Sequence, residues 1–118
     1  MTVPKPREMF DTYEVRRQLA GSYVNGRWQP GGYTTLNIRM SVQPMSPEEM
    51  HLLPEGVKVT DAVKVYADEA LSTMDERTQT PADVIIVDGE EYEVHRVFEH
   101  KMGTLAHWKA IAVRKERQ

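Results

Sequence analysis

The residue types that most often carry catalytic or metal-binding chemistry are present here, but not at useful spacings. The chain has no cysteine and four histidines, which are His51, His95, His100 and His107. No two histidines stand two or four residues apart, the spacings that direct two imidazoles at one metal ion. Without cysteine there is no disulfide, thiolate zinc site or thiol nucleophile. We therefore expect no metal site and no cofactor.

Carboxylates are numerous, but their positions do not suggest acid–base catalysis. Glu48 and Glu49 are adjacent, and adjacent side chains point apart in a strand and are offset by about 100° in a helix. Gly31 and Gly32 precede a predicted strand, whereas phosphate-binding glycine loops lead into helices. No serine stands in a G-x-S-x-G motif. The sequence therefore favours a protein that is not an enzyme.

The elements that would position any site are short strands separated by turn residues. Residues 33–43 are predicted to form a strand with one buried face, because apolar and polar residues alternate strictly over 36–43. Asn25-Gly26 and Asp88-Gly89 each stand between apolar flanks and tolerate positive φ, which predicts two-residue type I′ turns and hairpins at 23–28 and 84–97. In the second arm of the 84–97 hairpin the apolar residues change from one face of the strand to the other, which predicts a β-bulge near His95 or Arg96. Gly103-Thr104 marks a further turn.

Further strands are predicted at residues 15–19, 62–66 and 107–113. The last has apolar residues on both faces, so we expect it to be covered by the barrel on one side and by another segment on the other. Ser46 and Glu49 form a capping box with Pro47 at the first helical position, which predicts a short helix of about two turns ending before Pro54.

These elements predict a mostly β protein: a small antiparallel β-barrel or sandwich with long loops and one short helix. The length of 118 residues suits one domain. We assign residues 1–12 to an extended N-terminal arm and 13–115 to the barrel. Excursions leave it at 44–57 and 67–82, and the second is predicted to be a long, exposed acidic loop with at most one helical turn.

Charge is distributed unevenly along the chain, whose formal net charge is −3. Residues 1–42 carry six basic and three acidic side chains, residues 43–94 carry three and thirteen, and residues 95–118 carry six and two. Blocks of opposite sign suit faces that meet different partners, although a solvated acidic surface with basic ends is the simpler interpretation. The overall negative charge disfavours general binding to duplex DNA.

Membrane insertion and secretion are also disfavoured. No apolar run approaches the roughly 18 residues that span a bilayer. Residues 1–11 contain charges and prolines and no apolar core typical of a signal peptide. We expect synthesis in the cytoplasm and no membrane partner.

Five aromatic residues allow a second hypothesis about function. Trp28, Tyr33, Tyr66, Tyr92 and Trp108 would form a stacking platform for single-stranded nucleic acid if one face of an OB-like barrel displayed them all. Aromatic residues also dominate the cores and rims of small β-barrels. The shortage of basic residues interleaved with them favours the second interpretation, in which the five are core and barrel-rim residues.

The order of the motifs carries a family resemblance. "GSYVNGRWQPGG" leads into "TLNIRMSVQPMSPEEM" and "LPEG", and these are followed by "TDAVKVYADEAL", "PADVIIVDGEEYEVHRVFEH" and "HWKAIAVRKE". Each piece alone is an ordinary strand or hairpin signal, but their order and spacing over residues 21–115 are more specific. In these features the chain resembles the head-closure (stopper) proteins at the head–tail junction of tailed bacteriophages.

The resemblance implies a structural virion protein without an active site, made in the host cytoplasm. Copies would form a ring, dodecameric in typical members, beneath the portal and its adaptor ring and above the tail. That ring would close the DNA-filled head and contact genomic DNA only passively in its channel. Another neck component, such as a tail terminator or tail-completion protein, and an OB-like single-strand binder are the alternatives.

The two excursions are the candidates for contacts between rings or for lining the channel, where acidic side chains would repel DNA and let it slide. The candidate interface or channel residues are Glu48, Glu49, Glu55, Asp68, Glu69, Asp75, Glu76 and Arg77.

Overall fold

Alternating apolar residues and two-residue turns produce a chain of β-strands. The computed structural model describes residues 10–77, 80–102 and 105–115, with the backbone alone at 99–102 and 105–107. Residues 1–9 of the predicted arm and the Gly103-Thr104 turn lie outside the described residues. The strands are β1 (Asp11–Gln18), β2 (Ser22–Val24), β3 (Arg27–Gln29), β4 (Tyr33–Pro44), β5 (Ala62–Ala67), β6 (Val84–Val87), β7 (Glu90–Met102) and β8 (Leu105–Arg114).

Six of these strands form a closed antiparallel barrel in the order β1-β4-β5-β8-β7-β6, and β6 pairs with β1 to complete it. The predicted mostly β fold is confirmed, and the barrel is the form it takes. Because the sheet closes on itself, every barrel strand has a partner on both sides. β1 already begins at Asp11, so the last two residues assigned to the N-terminal arm belong to the barrel.

The barrel interior is filled by one apolar face of each strand. Val15 on β1, Ile38 on β4, Val65 on β5 and Ile85 on β6 are almost completely buried there. The alternation predicted for residues 33–43 is confirmed, because the same face of β4 packs into this main core. Small residues of β8, such as Ala110, complete it where neighbouring strands approach closely.

A second apolar cluster lies on the opposite face of β8. Ile111 is fully buried there with Met45 and Ala62, and it is covered by Leu52 and Leu53. The prediction that the closing strand is covered on both faces is therefore confirmed, and the second cover is the excursion at 44–57. The excursion at 44–57 therefore packs against the outer face of β8.

The excursion contains a 3-10 helix, Pro47–Leu52, and a further 3-10 turn follows at Val59–Asp61. The helix starts and stops where it was predicted, but its six residues form two 3-10 turns. Prolines stand on both sides of so short a segment, and an α-helix of two turns has too few i→i−4 bonds to compensate for its nucleation. The Glu49 carboxylate accepts a hydrogen bond from the Ser46 N–H at 3.1 Å.

Both predicted type I′ turns are present. Asn25 and Gly26 have φ of 52° and 79°, and Asp88 and Gly89 have φ of 50° and 80°. The bulge is also confirmed, because the β7–β8 register shifts between Val94 and Arg96. These local signals set the register of two hairpins without help from distant contacts.

The hairpin of β2 and β3 lies outside the barrel and continues one of its ribbons. Gln18 faces Tyr33 at the end of the β1–β4 pair, and Ser22 faces Gln29 at the start of the β2–β3 pair. The two pairings share one register across the intervening residues. The chain from β1 to β4 is therefore a single long ribbon whose tip projects from one end of the barrel.

Candidate functional site

The loop between β5 and β6, residues 68–83, lies at the end of the barrel from which the ribbon projects. We call it the acidic loop. The segment 67–82 was predicted to be exposed throughout, and that prediction is wrong at three points: Ala67 ends β5 in the main core, and Leu71, only 5% exposed, and Ala82 belong to the same core. Between these anchors the loop turns back on itself through two backbone hydrogen bonds between Asp75 and Thr80, at 2.9 and 3.0 Å. The loop is therefore fixed on the barrel.

An ion pair beneath this loop was not found by sequence reasoning. Asp83 is 1% exposed, and the Arg17 guanidinium donates to both of its carboxylate oxygens, Nε to Oδ1 at 3.1 Å and Nη2 to Oδ2 at 2.9 Å. The Ser72 N–H donates to Oδ2 at 2.8 Å. The hydrogen bond to Asp83 raises the pKa of the Arg17 guanidinium.

The Arg17–Asp83 pair joins three parts of the fold. Arg17 Nη2 also donates to the Ala70 carbonyl at 2.9 Å, which fixes the start of the acidic loop to β1. The backbone of Asp83 bonds to the Ser72 carbonyl and accepts from the Val94 N–H of β7, both at 2.9 Å. A single bidentate pair thus holds the loop, β1 and β7 in one arrangement.

An open groove of about 700 Å³ lies between the acidic loop and the base of the ribbon. Leu71 and the Arg17–Asp83 pair lie along it, and Met74 and Glu76 stand on the loop side. Met74 is exposed although it is a large apolar residue. We call this feature the loop groove; it combines apolar surface with acidic side chains.

The projecting tip, β2 and β3 with their turn, is the aromatic hairpin. The Tyr23 and Trp28 rings meet edge to face with centroids 5.1 Å apart. A Cβ at Gly21 would lie 2.5 Å from the Trp28 ring, so glycine is required for the ring to rest there. Trp28 belongs to neither apolar cluster, so it is not a core residue of the barrel.

The five aromatic residues of the nucleic-acid hypothesis do not form one platform. Trp28 lies on the hairpin, whereas Tyr92 packs against the main core. Tyr33 lies beside Arg16 and Tyr66 lies beneath Lys109, each with the cation 5.9 Å from the ring centroid. A continuous stacking surface would need them on one face.

The eight candidate site residues fall into two segments that share no ion pair or hydrogen bond within the described parts of the chain. Glu48 and Glu55 are exposed on the excursion. In the acidic loop, Asp75 is half-buried and accepts from the Arg77 N–H at 3.0 Å. The other loop candidates are exposed: Asp68, Glu69, Glu76 and Arg77.

Glu49 has a structural role that its position in the sequence did not reveal. Its carboxylate lies 3.1 Å from Lys64 Nζ and 3.7 Å from Lys109 Nζ, on the outer wall of β5 and β8. Hydrogen bonds from the Ser46 N–H and from Lys64 lower its pKa to about 2. It therefore fastens the excursion to the barrel and is not free to line a channel.

The stability of the protein should depend on pH through Glu49. Its pKa is about 2 in the folded protein against an ordinary 4.5, so the unfolded chain binds the proton first. The contribution is complete above about pH 4.5 and is lost as the pH falls towards 2. We expect Glu49→Gln to lower the free energy of unfolding at pH 7 by about 1–2 kcal/mol, with the difference shrinking below pH 4.5.

Thermal unfolding of both proteins between pH 7 and pH 2.5 measures this difference. Glu48→Gln is the matched control, because Glu48 is the exposed neighbour, and it should change stability by less than about 0.5 kcal/mol at every pH. A Glu49→Gln deficit that stays constant down to pH 2.5 would contradict the assignment.

Among the side chains that the structure describes, at 10–77, 80–98 and 108–115, no group of three histidines or carboxylates is placed to hold a metal ion. None of the helices in these ranges is long and apolar enough to cross a membrane. Comparison with protein-family models and with curated proteins found no match to the chain.

Proposed function

We propose that this protein is a structural subunit of the head–tail junction of a tailed bacteriophage, a head-closure protein that assembles as a ring. The observation that supports the proposal is that each motif of the resemblance forms its own element, either a strand of one closed barrel or a segment attached to that barrel. The Asn-Gly motif forms the projecting hairpin, the long alternating segment forms β4, and the Ser-Pro-Glu-Glu segment forms the excursion. The Asp-Gly hairpin and the closing strand complete the barrel.

Two properties of the molecule suit assembly into a ring. A closed barrel presents no free strand of its own sheet, so copies would associate through side-chain surfaces. A ring also needs two different complementary surfaces on each subunit, because each copy meets its two neighbours in different ways. The aromatic hairpin and the acidic loop differ in both charge and apolar character.

In the assembled junction the ring would close the head below the portal and adaptor and would carry the tail. We take its copy number to be twelve, as in typical members of the family that the chain resembles. Exposed carboxylates facing the channel, such as Glu48 and Glu55, would repel DNA and keep it sliding during ejection. A cryo-EM map with both excursions on the outer rim would contradict this channel-lining role.

The virus that encodes this chain provides the decisive test. Gold-labelled antibody against the protein should mark the neck between capsid and tail. Deletion of its gene should give complete free tails together with tailless heads whose packaged DNA becomes accessible to nuclease. Expression of the wild-type gene in trans should correct both defects. Absence of the protein from the virion would contradict the proposal.

The same particles separate the alternatives. A tail terminator limits tail growth, so its loss would leave tails of uncontrolled length and heads that still retain DNA. A single-strand binder would bind an oligonucleotide with an affinity that falls steeply with salt, because phosphate contacts release counterions.

A further inference from the structure

The tip of the aromatic hairpin is an apolar, positively charged projection. Tyr23 is 70% exposed and Val24 is 49% exposed, although both are large apolar residues. Arg27 lies beside them, is exposed, and has no ion-pair partner in the described part of the chain. Exposed apolar surface gathered at one projection is typical of a binding surface.

The loop groove has the complementary properties. Met74, which is 61% exposed, and Pro81, which is also exposed, supply the apolar surface along it, while Leu71 is buried beneath. Glu76 is exposed on the same side and has no ion pair with any described residue. The Arg17–Asp83 pair and Leu71 hold the loop in place, so the groove is formed before anything binds to it.

The hairpin cannot occupy the groove of its own chain. Gln18 lines the groove, and the hairpin continues the ribbon outward from that residue in the same register. The tip residues Val24 and Arg27 stand six residues beyond Gln18 and Tyr33, which corresponds to about 20 Å along a strand. A return to the groove would require the ribbon to fold back and break its hydrogen bonds.

We propose that the aromatic hairpin of one copy of this chain docks into the loop groove of the next copy. Tyr23 and Trp28 would pack against Met74 and Pro81, and Arg27 would face Glu76. The contact is heterologous, because hairpin and groove are different surfaces, and its repetition generates a closed ring or a filament. The inference deepens the proposed function and rests on it, since this contact would join neighbouring subunits of the ring.

Cysteine cross-linking tests the contact directly, since the natural chain has no cysteine. A Val24→Cys protein mixed with a Met74→Cys protein under mild oxidation should form a disulfide heterodimer, because docking brings the two Cα atoms within about 7 Å. Glu55→Cys replaces Met74→Cys in the control mixture, since Glu55 is exposed on the excursion. We expect heterodimer to form about tenfold faster with Met74→Cys than with the control.

Charge reversal tests the orientation of the contact. Arg27→Glu in the Val24→Cys partner and Glu76→Arg in the Met74→Cys partner should each reduce the cross-linking rate severalfold, and the two together should restore it. Cross-linking at the control rate overturns the proposal. It is also overturned if the aromatic hairpin instead binds a mixed-sequence DNA oligonucleotide in a manner that Arg27→Glu abolishes.

The outcomes for the contact and for the proposed function are separable. If the protein is found at the neck but its Val24→Cys and Met74→Cys copies do not cross-link in the virion, the head-closure function is supported and this contact is contradicted. If instead the copies cross-link rapidly and specifically but the protein is absent from the virion, the contact is supported and the head-closure function is contradicted.

Discussion

Replacement of Arg17 by alanine should lower the free energy of unfolding by about 3–5 kcal/mol, because it leaves the buried carboxylate of Asp83 without its partner. Asp83 is 1% exposed, and only the Ser72 N–H would remain to compensate its charge. The loss should appear in urea denaturation at pH 7 as a lower midpoint with little change in slope.

Two further variants identify the cause of that loss. Arg77→Ala is the matched control, since the Arg77 side chain is 94% exposed and pairs with Asp75 at 3.9 Å, and it should cost less than about 0.5 kcal/mol. The double variant Arg17→Met, Asp83→Leu removes both charges and should recover most of the lost stability. If Arg17→Ala costs no more than Arg77→Ala, the pair does not hold the loop on the barrel.

The same pair connects stability with the proposed assembly. Arg17 bonds to the Ala70 carbonyl, and Asp83 bonds to Ser72, so the loop side of the groove is set by the barrel. A partner that binds a fixed loop does not have to order it, which favours association. Variants that release the loop should therefore also slow the cross-linking between copies.

Much of the barrel follows from local signals in the sequence. The alternation in β4, the two positive-φ turns and the phase shift at the bulge each specify backbone geometry over a few residues. The apolar residues on both faces of β8 correctly predicted a second cover. Such features are readable because the residues that produce them are neighbours in the chain.

The parts that were missed depend on contacts between distant residues. Arg17 and Asp83 are 66 positions apart, and nothing in either neighbourhood shows that they meet. The only local signal was an aspartate placed directly before the apolar strand β6, where a charge needs a partner. Trp28, whose hydrophobicity suggested a core or barrel-rim position, lies instead on the projecting hairpin, beside its tight turn.

Leu71 was missed because it stands alone in a polar, acidic segment without any periodic pattern. The structure places it in the main core at 5% exposure, so Leu71→Ala should lower the free energy of unfolding by about 2–5 kcal/mol. Met74→Ala, three residues further along the same loop and 61% exposed, should cost less than about 0.5 kcal/mol.

Urea denaturation of the two variants beside the wild type measures this difference, and the slopes show whether the transition remains two-state. A Leu71→Ala protein as stable as the Met74→Ala protein would mean that the loop is exposed along its whole length, as its composition alone predicts. The acidic loop would then lack its apolar anchor, and a neighbouring hairpin would have to order the loop groove as it docked. A large difference instead means that the acidic loop is part of the barrel's core packing and presents Glu76 from a fixed position.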